Sequence, residues 1–488
     1  MHSNHPFHFN LVAAAHAAMI EHGFNPDFPP GTDTELAAIR AQSALTAADG
    51  LTDLRNLLWS SIDNDTSRDL DQIEWAEQLP DGRIRVLVGV ADVDARVHKG
   101  TLLDRHAQSE TTSVYTGITT YPMLPTALSE GITSLNENED RAAIVTEFSV
   151  DADGTSSDGK VYPALVHNRA QLAYPSVGAW LEGKAAAPPK VAASPDLAAQ
   201  LKLQDTAAQS MGGNRFQHGA LDLETIETRP VLVTDQIIGI APLQQNRATS
   251  LIEEFMIAAN GVIARTFENA GLSSIRRVVR TPKRWDRIVE LAKAKGYTLP
   301  AEPDSKALND VLLAEKQKDP DHFPDVSLTV IKLLGPGEYI LVKPDMPFPG
   351  HFGLAVQDYT HSTAPNRRFP DVITQRLLKA WLSKQPASYS DDQLNAIAQR
   401  CTLMEDGARK VERDMQKRIA AVALHPHIGQ SYPAIVTGVN NYGTFVRTLD
   451  PHVDGKVVQG GKGLDVGDRV TVKLVSTDPE RGFIDFAV

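Results

Sequence analysis

The sequence predicts an α+β protein: a large mixed body, a small helical unit before it and a five-stranded OB-type β-barrel after it. Three observations carry this. Apolar residues recur at helical spacing in the first fifty positions. From about residue 55, Val- and Ile-rich runs alternate with long helical runs. The last sixty residues are short β-runs parted by Gly, Asn and Asp. Period, length and turn chemistry separate these three regimes.

In chain order, "FNLVAAAHAAMIEH" (9–22) reads as a helix stopped at Gly23, and "TDTELAAIRAQ" as a second helix opened by a capping box on Thr32 or Thr34. This places a first domain at 1–54, either a helix-turn-helix variant or a docking cap. The body, 55–424, opens with the strand "GRIRVLVGVADV" and the hairpin "EFSVDADGTSSDGKVYPALV". "GKAAAPPKVAASPD" reads as a surface linker. "DLAAQLKLQDTAAQSM", "ATSLIEEFMIAANGVIARTFENAG", "RWDRIVELAKAKGY", "FPDVITQRLLKAWLSKQ" and "LNAIAQRCTLMEDGARKVERDMQKRIAAVAL" read as helices. The third domain, 425–488, holds "YPAIVTGVNNYGTFVRTL", "DGKVV", "GDRVTVKLVSTD" and "GFIDFAV", whose count and spacing suit a small barrel.

A chain of 488 residues with 42% hydrophobic composition can bury a large core. A formal charge of −13 argues against sequence-blind adhesion to nucleic acid or acidic membranes, but leaves room for a basic channel inside an acidic body. Cys401 is the single cysteine, so no intrachain disulfide forms, and a reducing compartment is expected. No apolar run approaches the roughly 20 residues of a membrane helix. The first Lys or Arg is Arg40, so the start lacks the basic region of a signal peptide, and a cytoplasmic location follows as the expectation.

"SIDNDTSRDLDQIEW" (60–74) crowds Asp63, Asp65, Asp69 and Asp71 together and breaks off at Gln72. Like charges so close repel. A hard cation relieves that repulsion; so does simple solvation of a turn. Asp69 and Asp71 point the same way on an extended segment, and Asp63 rejoins them if "NDTSR" loops. Such oxygen-rich sets suit Mg²⁺ or Mn²⁺ and, with two ions, phosphodiester cleavage. An EF-hand counted from Asp63 would put Gly where Arg68 stands, so a calcium loop does not fit. A second constellation, "HFGLAVQDYTHSTAPNRRFPDVITQRLL" (351–378), sets Arg367 and Arg368 before a helix. Arginines there can grip phosphate, or form surface ion pairs. In the terminal barrel, Tyr442 and Phe445 offer stacking surfaces for bases on a strand face; alternatively they are a turn tyrosine and a core phenylalanine.

Taken together, "IDNDTSRDLDQ", "STAPNRRFPD" and the barrel from about 429 resemble the RNase II/RNase R (RNB) family of processive 3′→5′ exoribonucleases. "VGVADV", "TSVYTGITTYPMLP", "HGALDLET", "LIEEFMIAAN" and "HFGLA" fall in the family's order between them. The likeness covers roughly 55–488. It implies that Asp63, Asp69 and Asp71 are the catalytic, metal-binding aspartates and that Arg367, with Arg368 beside it, grips the scissile phosphate. It implies that Tyr115 stacks on the 3′-terminal base, and that Glu253 and Glu412 line the cavity. Three departures stand out. The family's fourth aspartate is Gln72, whose amide oxygen can ligate but brings no charge. The second aromatic of the base clamp falls on Leu223. The two cold-shock-type barrels usual before the catalytic domain find no room in 54 residues.

The resemblance therefore implies a Mg²⁺- or Mn²⁺-dependent exoribonuclease, a hydrolase acting on single-stranded RNA as a cytoplasmic monomer without membrane contact, and releasing 5′-nucleoside monophosphates. Two alternatives stay open: a catalytically impaired RNA-binding relative, suggested by Gln72, and a nuclease that also takes single-stranded DNA. Asp65 reads as a solvated loop residue. Asp94 could replace the missing carboxylate or lie on the surface, as could Asp92. The basic runs "RRVVRTPKR" (276–284) and "RKVERDMQKR" (409–418) either line a channel or form solvated faces.

Overall fold

The computed structural model describes residues 9–488 apart from 44, 47, 48, 226, 234, 235, 244 and 321. Two helices lead, α1 (Leu11–Glu21) and α2 (Thr32–Arg40). Gly23, at φ +86°, ends the first as its position predicts. The capping box expected for α2 does not form: its N-cap is Gly31, and Thr32 turns its hydroxyl back to the Pro29 carbonyl.

The body is built on a six-stranded mixed sheet. Its strands are β1 (Thr52–Asp53), β2 (Trp59–Asp63), β3 (Gln72–Gln78), β4 (Ile84–Ala91), and, after the short pair β5 (Val114–Tyr115) and β6 (Thr120–Tyr121), β7 (Asp140–Val150) and β8 (Ser156–Ala173). The order is β1-β8-β2-β3-β4-β7, and β8 is long enough to pair with β7 as well as β2, so the sheet closes on itself. The β-branched run of β4 is buried on both faces, as its unbroken apolar reading requires. The β7–β8 turn needs Gly154: at φ +85° a Cβ there would stand 1.9 Å from the Ser210 carbonyl oxygen.

Helix α3 (Leu102–Glu110) lies between β4 and β5, and α4 (Tyr174–Leu181) follows β8 directly. The stretch read as a linker contains one helical turn, α5 (Pro189–Ala192), anchored by the buried Val191. Helices α6 (Pro195–Gln217) and α7 (Arg247–Asn269) cover one face of the sheet, with Phe255 meeting Phe148 edge-on at 6.3 Å. Between them runs the hairpin β9 (Glu227–Val233) and β10 (Gln236–Leu243), which periodicity did not reveal. Strand β11 (Ser274–Val278) pairs with β12 (Glu338–Val342). Helices α8 (Trp285–Ala294), α9 (Ser305–Lys318) and α10 (Phe323–Leu334) form a satellite core around Trp285, Leu308 and Phe323.

Helix α11 (Phe369–Leu382) is buried over most of its length, and α12 (Asp391–Leu424) runs from a capping box at Ser390 to the barrel. The barrel closes in the order β13 (Ser431–Asn440), β14 (Gly443–Thr448), β15 (Asp454–Gln459), β17 (Phe483–Ala487), β16 (Arg469–Asp478), the five strands the turn spacing predicts. Ala420, Ala421 and Leu424 of α12 belong to its hydrophobic core. Among the described residues no helix is long and apolar enough to cross a membrane.

Of the basic runs, 276–284 does not serve as a channel wall in its first half. Arg276 and Arg277 are buried in β11, and Arg277 is fixed to Glu405 of α12 by two hydrogen bonds of 2.6 and 2.8 Å. An arginine that finds a carboxylate inside is held there by the pairing its burial demands.

Candidate active site

The acidic motif starts where β2 ends and finishes where β3 begins, so the intervening loop returns the chain upon itself as its spacing predicts. Asp63, the last residue of β2, accepts from the Asn64 backbone N–H at 2.7 Å and the Ser67 hydroxyl at 3.0 Å. Burial still pushes its carboxyl upward. Asp69 accepts from the Tyr115 hydroxyl at 2.9 Å. Asp71 is only 2% exposed. Its Oδ1 accepts from the Asn366 backbone N–H at 2.8 Å, while Oδ2 has no hydrogen bond and stands 3.4 Å from Arg367 Nε. Burial pushes this carboxyl up to about 7, with the Arg367 guanidinium pulling the other way. Gln72 is buried as the first residue of β3, across from Val90 on β4.

The two arginines have separated tasks. Arg368 forks onto Asp371 with bonds of 3.0 and 2.7 Å, and Asp371 also accepts from the Ala364 N–H at 2.8 Å. Arg368 thus braces the turn before α11; its pairing removes it from the phosphate-gripping role expected beside Arg367. The Arg367 side chain is 45% exposed, and its guanidinium faces the acidic set. The turn is tied to the segment before β5 through Ser113 N–H to the Arg367 carbonyl, 2.9 Å, and Phe369 N–H to the Thr111 carbonyl, 2.8 Å.

Tyr115 closes the group. It is 42% exposed, and its backbone N–H donates to Glu412 Oε1 of α12 at 3.4 Å. Glu253 stands in a neighbouring group, 3.7 Å from Arg215, and burial raises its carboxyl, with Glu254 and Asp222 adding to the effect. Leu223 packs half-buried against the Trp285 cluster. Asp65 is exposed and pairs with Arg229 of β9 at 3.4 Å. Asp94 is neither a spare ligand nor a surface residue. It is bound to Arg376 at 2.8 Å and Lys379 at 3.0 Å, and Lys379 also holds the buried Asp92. In the barrel, Tyr442 lies in the β13–β14 turn, 81% exposed, whereas Phe445 is part-buried on β14, so the two do not share one strand face.

One acidic residue was missed. Glu74 on β3 is fully buried, and neither carboxylate oxygen has a hydrogen-bond partner. Burial raises its carboxyl well above the ordinary range, and the nearby charge of Asp63 raises it further. The alternation of "QIEWAEQ" could have flagged it, because Gln72, Glu74 and Ala76 share a face.

Among the described residues no three His, Cys, Asp or Glu side chains are gathered into a cage for an ion. The donor chemistry does fit a hard divalent cation: carboxylates and an amide only, with the buried Asp71 Oδ2 free of any hydrogen bond.

Carboxylates facing one half-exposed arginine beside a sheet, with a five-stranded barrel behind, define a phosphate-handling domain joined to a β-barrel module. The chain belongs to the RNB family. Residues 51–384 match the RNB domain, and 430–488 match the RNase II-type exonuclease C-terminal S1 domain. The chain is similar to Ribonuclease R of Thermotoga maritima, 31% identical over 95% of this chain and 68% of the relative. It is similar also to Ribonuclease R of Vibrio cholerae, 30% identical over 90% of this chain and 54% of that protein. The chain thus spans between about half and two thirds of the length of these relatives. A solved structure of Mycoplasma genitalium RNase R in complex with ribose-methylated single-stranded RNA has the same fold, with TM-score 0.87 at 24% identity, covering 98% of this chain and 78% of that one.

Proposed function

We propose that the chain is a 3′→5′ exoribonuclease that hydrolyses single-stranded RNA to nucleoside 5′-monophosphates. The observation that carries the reading is the facing pair Asp71 and Arg367: a buried carboxylate oxygen without a hydrogen bond, 3.4 Å from an arginine whose side chain is 45% exposed. Water and phosphate are the groups such a pair is built to hold.

Asp63, Asp69, Asp71 and the Gln72 amide would hold the cation, Mg²⁺ or Mn²⁺, whose chemistry when bound is to acidify a water and neutralise the leaving oxygen. Arg367 holds the scissile phosphate and offsets charge developing on it. Tyr115 presents its ring to the terminal base and its hydroxyl to Asp69, coupling strand position to the acidic set. Water attacks phosphorus, the P–O3′ bond breaks, and the freed 3′-hydroxyl becomes the new end. Single strands are held by stacking and backbone contacts, for which Tyr442 supplies an exposed ring. Glu253 and Glu412 line the approach. A monomer working in the cytoplasm completes the reading.

Matched RNA and DNA oligonucleotides, 5′-labelled and incubated with Mg²⁺ or with EDTA, test it. Stepwise RNA shortening that needs the cation supports the proposal. Binding without shortening marks a catalytically impaired RNA binder, the alternative that Gln72 keeps in view, and equal shortening of DNA marks a broader nuclease.

A further inference from the structure

We propose that Glu74 supplies the negative charge that Gln72 does not, so that the cation site of this chain has its fourth carboxylate one pleat farther along β3. The inference rests on the cation-dependent reading above. Residues 72 and 74 lie on one face of the strand. Glutamate is one methylene longer than aspartate, which returns part of the displacement. Asp63 closes β2, the strand on which Ser60 pairs with Glu74, and Tyr174 at the head of α4 packs against the core on this side of the sheet.

The surroundings argue against a packing role. Ala76, Val86, Val88 and Phe148 share this face of the sheet as core residues, and an apolar side chain would complete it. Instead, a carboxylate with two unpartnered oxygens is retained. Ser60 stands directly across from it on β2, and Gln204 of α6 donates to its backbone carbonyl at 3.5 Å. Ser60 Oγ and Gln204 Oε1 are likewise buried and unpartnered. Buried polar groups are retained in pairs or around something they bind. Here the unpartnered oxygens accumulate on the face of the sheet that Gln72 shares.

Mn²⁺ titrated into the RNA-free protein and followed by electron paramagnetic resonance tests this without recourse to activity. Glu74→Leu fills the same volume and Glu74→Gln keeps the polarity; circular dichroism establishes that each is folded. Loss of about 10- to 100-fold in Mn²⁺ affinity is expected, the range for disturbing a supporting carboxylate. Gln72→Asp introduced into Glu74→Leu should recover most of it. Native Mn²⁺ affinity in a folded Glu74→Leu chain would overturn the assignment while leaving the cation reading intact. An unaltered chain that binds no Mn²⁺ would overturn both.

Discussion

The Asn366 backbone N–H donates to Asp71 Oδ1 at 2.8 Å, joining two motifs 295 positions apart in the chain. One oxygen of Asp71 is thereby fixed, and the other is turned toward Arg367. Asp71→Asn keeps an acceptor for Asn366 and should fold normally. It should abolish RNA hydrolysis while RNA affinity stays within severalfold, measured by gel assay and fluorescence anisotropy. Gln72→Ala should cost less activity than Asp71→Asn, and Gln72→Asp should be tolerated, because a neutral amide contributes less to a cation than a carboxylate.

The neighbouring arginines should separate in experiment. Arg367→Lys loses the planar fork and should slow cleavage by roughly 10²- to 10³-fold with little change in stability. Arg368→Ala strands the buried Asp371 and should cost about 3–5 kcal/mol of stability, read as a lowered denaturation midpoint.

Tyr115 joins ring and hydroxyl functions that two substitutions can part. Tyr115→Phe keeps the ring and should leave the final oligomer length unchanged. Tyr115→Ala removes the stacking surface and should lengthen it. Labelled poly-A products on a sequencing gel decide, and identical ladders for all three proteins would show that this ring does not set the length.

In the barrel, Tyr442 is more exposed than the ring of Phe483. Base–aromatic stacking is worth about 1–3 kcal/mol per base. Tyr442→Ala should accordingly weaken binding of long RNA roughly 5- to 150-fold and spare slow cleavage of short oligomers.

Acid should loosen the fold through His351. Its Nδ1 accepts from the Leu354 N–H at 3.2 Å, which requires a neutral ring, and burial holds its pKa down at about 4, with Arg277 acting in the same direction. The unfolded chain therefore takes up the proton first as pH falls below about 6.5. The stability this contributes is complete above that value and is lost on the way down to about 4. Urea midpoints should fall between about pH 7 and about pH 5, and less steeply in His351→Gln; some slope should remain, because burial also holds His361 well down.

Much of this was legible in the sequence because it depends on local rules. Helix periods, the Gly23 stop and the five barrel strands follow from side-chain spacing and turn chemistry. The aspartate motif is local too. What depended on tertiary pairing was not legible. "NRR" gives no sign that Arg368 would turn to Asp371 while Arg367 stays open. Asp94 looked available until α11 brought Arg376 and Lys379 against it. The burial of Glu74 follows only once α6 is laid over that face. Helices α9 and α10 bury their apolar residues in a small satellite core, leaving a weak periodic signal.

Helix α12 spans 34 residues, about 50 Å at 1.5 Å per residue. Along one shaft it carries Glu405, clamped to Arg277, then Glu412 beneath Tyr115, then the alanines that complete the barrel core. The barrel and the proposed active site are therefore mounted on a common axle, and the distance between them is set by helical rise. One residue inserted after Glu412 would turn the barrel by about 100° relative to the cleft. The registration of the two modules is thus written in the helical phase of a single segment, and length changes there are the ones this architecture tolerates least.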